Sequence, residues 1–222
     1  MAAKLVGFES WEEAEEAHGD IHIAVERAPV SSQASGPARA AFVECIRELT
    51  GRCPFVITSD VTVDIQWFVS EEERYESDAA ADVDNIIKPV LDALSGPRGL
   101  IVNDCQVQAV TAYWVGAVEL GQQLSVRLHS PFGDFRFPKA TLQFAQLGRA
   151  LCFPLDAGES RGLQLRFLRQ IERMVLARDA MLDGPPGIGR AMLPLQRLFH
   201  RTRVAGFPVL LLADLYRALE EA

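Results

Sequence analysis

VTVDIQWFVSEEERYESDAAADVDNIIKPVLDALSGPRGLIVNDCQV, residues 61–107, holds in one run a strand, an acidic connection, a short helix and the start of a second strand. Val61, Val63, Ile65, Trp67 and Val69 alternate with Thr62, Asp64 and Gln66, the period-two pattern of a strand with one buried face. The segment SEEERYESDAAAD then reads as an acidic loop. A helix is expected from about Asp84 to Ser95, closed by the turn Gly96–Pro97–Arg98–Gly99, with a further strand from about Gln106 to Val115.

N-terminal to this run, Ile21 to Arg27 alternates as a strand, and PVSSQASGP, residues 29–37, reads as a loop. From Ala38, the apolar positions Ala41, Phe42, Cys45, Ile46 and Leu49 recur at helical spacing until Gly51. A last core strand, Gln122 to His129, is expected to form a hairpin with the strand before it. The order strand, helix, strand, helix, strand, strand predicts an α+β fold. Its core is a two-layer arrangement of a small mixed sheet and two helices, over residues 19–130.

Residues 1–18 read as a polar lead-in with a helix from Ser10 to Ala17, and Ser130 to Ala140, rich in Pro, Gly and Phe, as a linker. Residues 131–222 are expected to form a mainly helical extension. Within it, Thr141 to Leu155 fits either a strand pair or a short helix. Ser160 to Leu182 is helical, with Leu163, Phe167, Leu168, Ile171, Met174 and Val175 on one face and Arg166, Arg169 and Arg173 opposite. GPPGIGR, residues 184–190, lacks the GK[ST] ending of a phosphate loop and reads as a helix connector. A final amphipathic helix uses Leu211, Leu212, Leu215 and Leu219.

The 222 residues are 49% hydrophobic with mean hydropathy near zero, and the longest apolar run, around Val209 to Ala213, is too short to cross a bilayer. The glutamate-rich N-terminus has no apolar core of a secretory signal, so a cytoplasmic location with no membrane partner is expected. Cys45, Cys53, Cys105 and Cys152 form no CxxC pair and are expected to be buried thiols rather than zinc ligands. The net charge of -8 is uneven: residues 1–156 hold 12 basic against 23 acidic side chains, and residues 157–222 hold 10 against 7. Positive potential for a polyanionic partner is therefore expected from the C-terminal part, with Arg166, Arg169 and Arg173 as weak DNA-binding candidates beside their plainer reading as a solvated face.

The chemistry concentrates between Ala81 and Val107. Asp82 and Asp84, two residues apart in an extended lead-in, point to one side. Lys88 lies one helical turn beyond Asp84, Asp92 one turn further, and Asp104 stands just before the next strand. Three nearby carboxylates repel unless a cation intervenes, and oxygen-only ligation suits Mg²⁺ or Mn²⁺. Lys88 would steady a phosphate beside such an ion. The same spacing also fits a purely structural arrangement, with Asp84 or Asn85 capping the helix, Lys88 paired to Asp92, and Asp104 starting a strand.

The pattern D-V-D-N-I-I-K-P-V-L-D-A-L, residues 82–94, followed by N-D-C-Q-V, residues 103–107, resembles the RusA family of Holliday junction resolvases. A weaker likeness extends over Ile21 to Val30. The resemblance implies a homodimeric, Mg²⁺-dependent endonuclease that cleaves branched DNA in recombination and repair, with Mn²⁺ as a substitute ion. By position, it implies Asp82, Asp84 and Asp104 as metal-binding and catalytic aspartates and Lys88 as the catalytic lysine; Asp92 matches a motif position with no assigned role. The chain departs from the family pattern at Asn103, which replaces the first of an acidic pair, in its acidic loop 71–78, and in its C-terminal extension. The alternative is a module derived from this family that binds without cleaving and uses the extension for a protein partner.

Overall fold

The computed structural model describes residues 2–76, 81–116, 123–130, 135–148, 150–182 and 198–221. Its first layer is a five-stranded sheet made of β1 (Ala3–Leu5), β2 (Ile21–Val25), β4 (Val61–Val69), β5 (Val107–Gly116) and β6 (Leu124–His129), in the order β1-β2-β6-β4-β5. The buried positions of β4 are the alternating set Val61, Val63, Ile65, Trp67 and Val69. Against this face pack α2 (Gly36–Thr50), through Phe42, Cys45 and Ile46, and α4 (Ile87–Leu94), through Val90, Ala93 and Leu94. This is the expected two-layer α+β core.

Two features of that core differ from expectation. The strands β5 and β6 do not form a hairpin: β4 lies between them, parallel to β5 and antiparallel to β6. Alternation identifies a half-buried strand but not its neighbours, and here it is β6, with Leu124, Ser125, Val126 and Leu128 all buried, that occupies the interior. The parallel β4–β5 pair needs a crossover, which α4 supplies. The N-terminal residues are also part of the fold: β1 pairs with β2, and α1 (Trp11–Glu16) buries Trp11 and Ala14, with the Trp11 ring edge-on to Phe55.

The segment 130–140 is not a spacer. Within it, β7 (Arg136–Pro138) pairs antiparallel with β3 (Phe55–Ile57) of the core. The Arg136 guanidinium lies 4.6 Å from the Phe55 ring centroid and donates to the carbonyls of Ala14 and Gly19.

The C-terminal part contains a second sheet, so a mainly helical extension is an incomplete description. It consists of β8 (Leu142–Gln146), β9 (Leu151–Asp156), β10 (Phe199–His200) and β11 (Val209–Leu211), in the order β10-β9-β8-β11. Its inner pair settles the ambiguity at Thr141 to Leu155 in favour of strands. The outer strands are two and three residues long, too short to register as alternation. The helices α5 (Arg161–Leu182) and α6 (Leu212–Glu221) pack on this sheet through Leu168 and Leu215 against Ala145 and Leu155. Phe167, expected on the buried face of α5, is half exposed, and Gln164 is buried instead, donating to the carbonyls of Ala157 and Glu159. The glycine-rich connector 184–190 lies outside the described residues.

The two parts share their packing. One cluster joins Val56 and Val102 of the core to Leu142, Phe144, Cys152, Phe199 and Val204 of the extension, with Phe144 edge-on to both Phe199 and Phe207. Of the four cysteines, Cys45, Cys53 and Cys152 are buried as expected, whereas Cys105 is exposed. Among the described residues, no helix is long and apolar enough to cross a membrane.

Candidate active site

The aspartate motif is built on a bend rather than a regular helix start. Asp82 is extended, the residues Val83–Ile86 form a 3-10 turn, and α4 begins at Ile87, with Pro89 tolerated because its missing N–H falls in the first turn. The loop before α2 fixes this bend. The Ser32 N–H donates to the Asn85 carbonyl at 2.8 Å, and the Ser32 hydroxyl lies 3.2 Å from the Asn85 side-chain oxygen. Asp82 and Asp84 are exposed, and neither supplies a side-chain cap for the turn, so the capping role open to Asp84 is not used. At the other end of α4, Arg47 of α2 donates to the carbonyls of Asp92 and Ser95, at 2.9 and 3.0 Å, satisfying backbone acceptors that a short helix leaves open.

Asp104 is aimed by a different device. After Gly99, whose absent side chain leaves room for the Leu94 carbonyl (an added Cβ would lie 2.0 Å from that oxygen), the chain enters the buried run Leu100, Ile101, Val102. Asn103 then caps a 3-10 turn, Asp104–Gln106, by accepting from the Cys105 N–H, while the Asn103 N–H donates to Gln106 Oε1. The buried Gln106 amide donates onward to the carbonyls of Ile57 and Ser59, at 2.9 and 2.7 Å. Asn103 thus has a structural function where the resembled family carries an acid. The reciprocal N-x-x-Q spacing of a capping box was the sequence signal for it.

These two devices bring Lys88 to Asp104, at 2.9 Å from Nζ to Oδ2, and Lys88 also binds Asp92 one turn along α4. Partial burial pushes the Lys88 ammonium down, but the hydrogen bonds to Asp92 and Asp104 outweigh it and leave its pKa above the ordinary value. Lys88 is therefore a protonated donor at neutral pH. A fourth group comes from the extension: Arg203 Nη1 stands 3.6 Å from Asp104 Oδ1 and 3.5 Å from Asn103 Oδ1. Nothing in the core motif pointed to Arg203, because only the fold brings it there.

The expected convergence of Asp82, Asp84 and Asp104 is not reproduced as a ligand cluster. Among the described residues, no group of three or more His, Cys, Asp or Glu side chains is arranged to hold a metal ion. Asp104 is ion-paired to Lys88 and Arg203. The arginine stripe of α5 is exposed, and Arg169 pairs with Glu220 of α6 rather than with any core residue.

The acidic connection is partly helical. Ser70 caps α3 (Glu71–Tyr75), where glutamates in the first turn complement the positive helix end. This helix begins just after β4 ends. Val61, at the start of β4, pairs with Val107 near Asp104, so α3 starts about 25 Å away along the strand. Arg74 folds over the Trp114 ring, 4.4 Å from its centroid.

Residues 39–128 match the family model described as endodeoxyribonuclease RusA. The matched span covers less than half of the chain and includes Asp82, Asp84, Lys88, Asp92 and Asp104, but not Arg203. No curated protein matches the chain. Residues 39–128 are therefore similar to the RusA endodeoxyribonucleases, and the C-terminal extension packs onto this part of the chain.

Proposed function

We propose that the protein is an endonuclease that cleaves phosphodiester bonds in branched DNA, with the centre around Lys88 and Asp104 as its active site. The observation that carries this reading is the Lys88–Asp104 contact inside the family-matched span: two motif residues separated by the helix and the Gly99 turn meet at 2.9 Å. In the proposed reaction, Lys88 donates to a non-bridging phosphate oxygen and stabilises the charge that grows there in the transition state. Asp92 and Asp104 keep its ammonium protonated and aimed.

The proposal includes Mg²⁺, with Mn²⁺ as a substitute, on Asp82, Asp84 and Asp104. Its support is donor chemistry, since exposed carboxylate oxygens are what these ions take. Bound there, the ion would polarise the phosphodiester. Asp104 is paired with Lys88 and Arg203, and the roles given to Lys88, Asp92 and Asp104 stand independently of the ion. Paired cuts across a four-way junction call for two sites related by a two-fold axis, hence a homodimer.

The test uses a labelled synthetic four-way junction with Mg²⁺, comparing the wild type with Asp84→Asn and Lys88→Met. Cleavage that both substitutions abolish supports the reading. No cleavage by the wild type, or undiminished cleavage by the variants, refutes it. Wild-type binding without cleavage would favour a non-cleaving module, for which the ion-paired state of Asp104 is the favouring observation. Thermal melting with Mg²⁺ or Mn²⁺ tests the ion separately: a rise lost in Asp82→Asn supports it, and indifference to metal removes it.

A further inference from the structure

We propose that Arg203, carried by the C-terminal extension, is a phosphate-binding residue of this site, so that the extension completes the surface that receives the DNA backbone. The inference rests on the nuclease reading above but concerns a residue outside the family-matched span.

Arg203 is held in place from both sides. It closes the 3-10 turn Arg201–Arg203, in which His200 accepts from the Thr202 N–H and its Nδ1 lies 2.8 Å from the Thr202 hydroxyl. The next residue, Val204, is fully buried in the cluster with Val56 and Val102, and Val102 immediately precedes Asn103. Two residues on, Gly206 has φ +89°, and an added Cβ there would lie 3.1 Å from Cγ of Pro97, in the turn that follows α4. The arginine is therefore placed by packing and not by its ion pair.

That ion pair is loose and leaves donor capacity. Both contacts, at 3.6 and 3.5 Å, are made by Nη1, and the side chain is 52% exposed. Among the described residues, Nε and Nη2 have no protein acceptor. A guanidinium has five N–H donors in a planar fork that matches two phosphate oxygens. Lys88 and Arg203 stand on the two oxygens of one carboxylate, Oδ2 and Oδ1 of Asp104, so two cations flank a single anionic group. A phosphate beside Asp104 would meet both.

Charge gives the arrangement its purpose. Lys88 has Asp92 and Asp104 as its ion-pair partners, and residues 1–156 are strongly acidic as a whole. Lys88 is already hydrogen-bonded to two carboxylates. The added positive charge at this site comes from Arg203, in the basic C-terminal part, and the planar fork also sets the orientation of the phosphate.

The experiment uses the full chain and the labelled four-way junction. Binding is measured across a salt titration in EDTA, and cleavage kinetics with Mg²⁺. Arg203→Ala is expected to weaken binding on the order of tenfold, and to lower the slope of log K against log salt by about one. It should raise KM more than it lowers kcat. Arg203→Lys should recover the salt slope but not the full affinity. Arg217→Ala, which removes one positive charge from α6, should leave both unchanged, and thermal melting should show all variants folded. Wild-type affinity and slope in Arg203→Ala would overturn the proposal, as would faster cleavage, which would make the arginine a brake on Asp104. A wild type that neither binds nor cuts the junction would instead remove the nuclease reading on which it stands.

Discussion

Truncating Val204 tests whether the extension and the family-matched domain are one structural unit. Val204 is fully buried among Val56, Val102, Leu142, Phe144, Cys152 and Phe199. Replacing it with alanine removes two carbons, about 1.6 kcal/mol at about 0.8 kcal/mol per buried methylene. The remaining cavity brings the expected loss to about 2–3 kcal/mol. The sequence supplies the probe, because all three tryptophans, Trp11, Trp67 and Trp114, belong to the core. Tryptophan emission during urea unfolding therefore reports the core alone, while far-ultraviolet circular dichroism reports both parts. A cooperative unit predicts one transition by both probes, with the midpoint lowered by roughly 1 M in Val204→Ala at a slope of about 2–3 kcal/mol per M. An unchanged tryptophan midpoint beside an early loss of circular dichroism would show that the extension melts by itself. That result would refute the reasoning that packing fixes Arg203 at the site.

Lys139 gives a prediction in pH. Burial pushes its ammonium down to about 8 from 10.5, against the opposing influence of Cys53, while its Nζ donates to the Thr50 carbonyl at 2.7 Å. The unfolded chain keeps this proton to higher pH than the folded one. The lysine's contribution to stability is thus fully present above pH 10.5 and is lost as pH falls to 8, up to about 3 kcal/mol in all. Burial raises the Cys53 thiol to about 11, which acts in the opposite direction above pH 9 in both proteins. Lys139→Met should therefore lack the rise relative to the wild type in urea unfolding between pH 8 and 10, and parallel profiles would contradict the assignment. Gln106→Ala should cost about 2–4 kcal/mol by denaturant titration, since it strands two buried carbonyls and the Asn103 N–H. It should also reduce junction cleavage by releasing the bend that aims Asp104, and unaltered stability would refute that role.

The core was legible because long elements carry their own period. The alternation of Val61 to Val69 and the helical spacing of Ala41 to Leu49 each repeat often enough to be read locally. What stayed hidden depends on contacts between distant segments. Strand neighbours are such a case, since β5 and β6 look like a hairpin until β4 separates them. The two- and three-residue strands β10 and β11 are another. At the site, the one-turn spacing of Lys88 and Asp92 was legible, whereas the 2.9 Å approach of Asp104 to Lys88 depends on the fold between them. The structural alternative was also partly right, because Lys88 does pair with Asp92. Arg203 was out of reach, since no local pattern marks an arginine whose partner is supplied by another part of the fold.

The contact of Arg203 with Asn103 joins residues 100 apart in sequence. Closing a loop of that length costs about 4 kcal/mol in chain entropy, whereas an exposed ion pair returns about 1 kcal/mol or less. Electrostatic attraction is thus too weak to gather this corner of the site. The closure is carried by the valines and phenylalanines beneath it, and in the order of folding events this corner belongs with the slow, long-range ones. The full charge arrangement at the site therefore depends on the packing of the second sheet against the core.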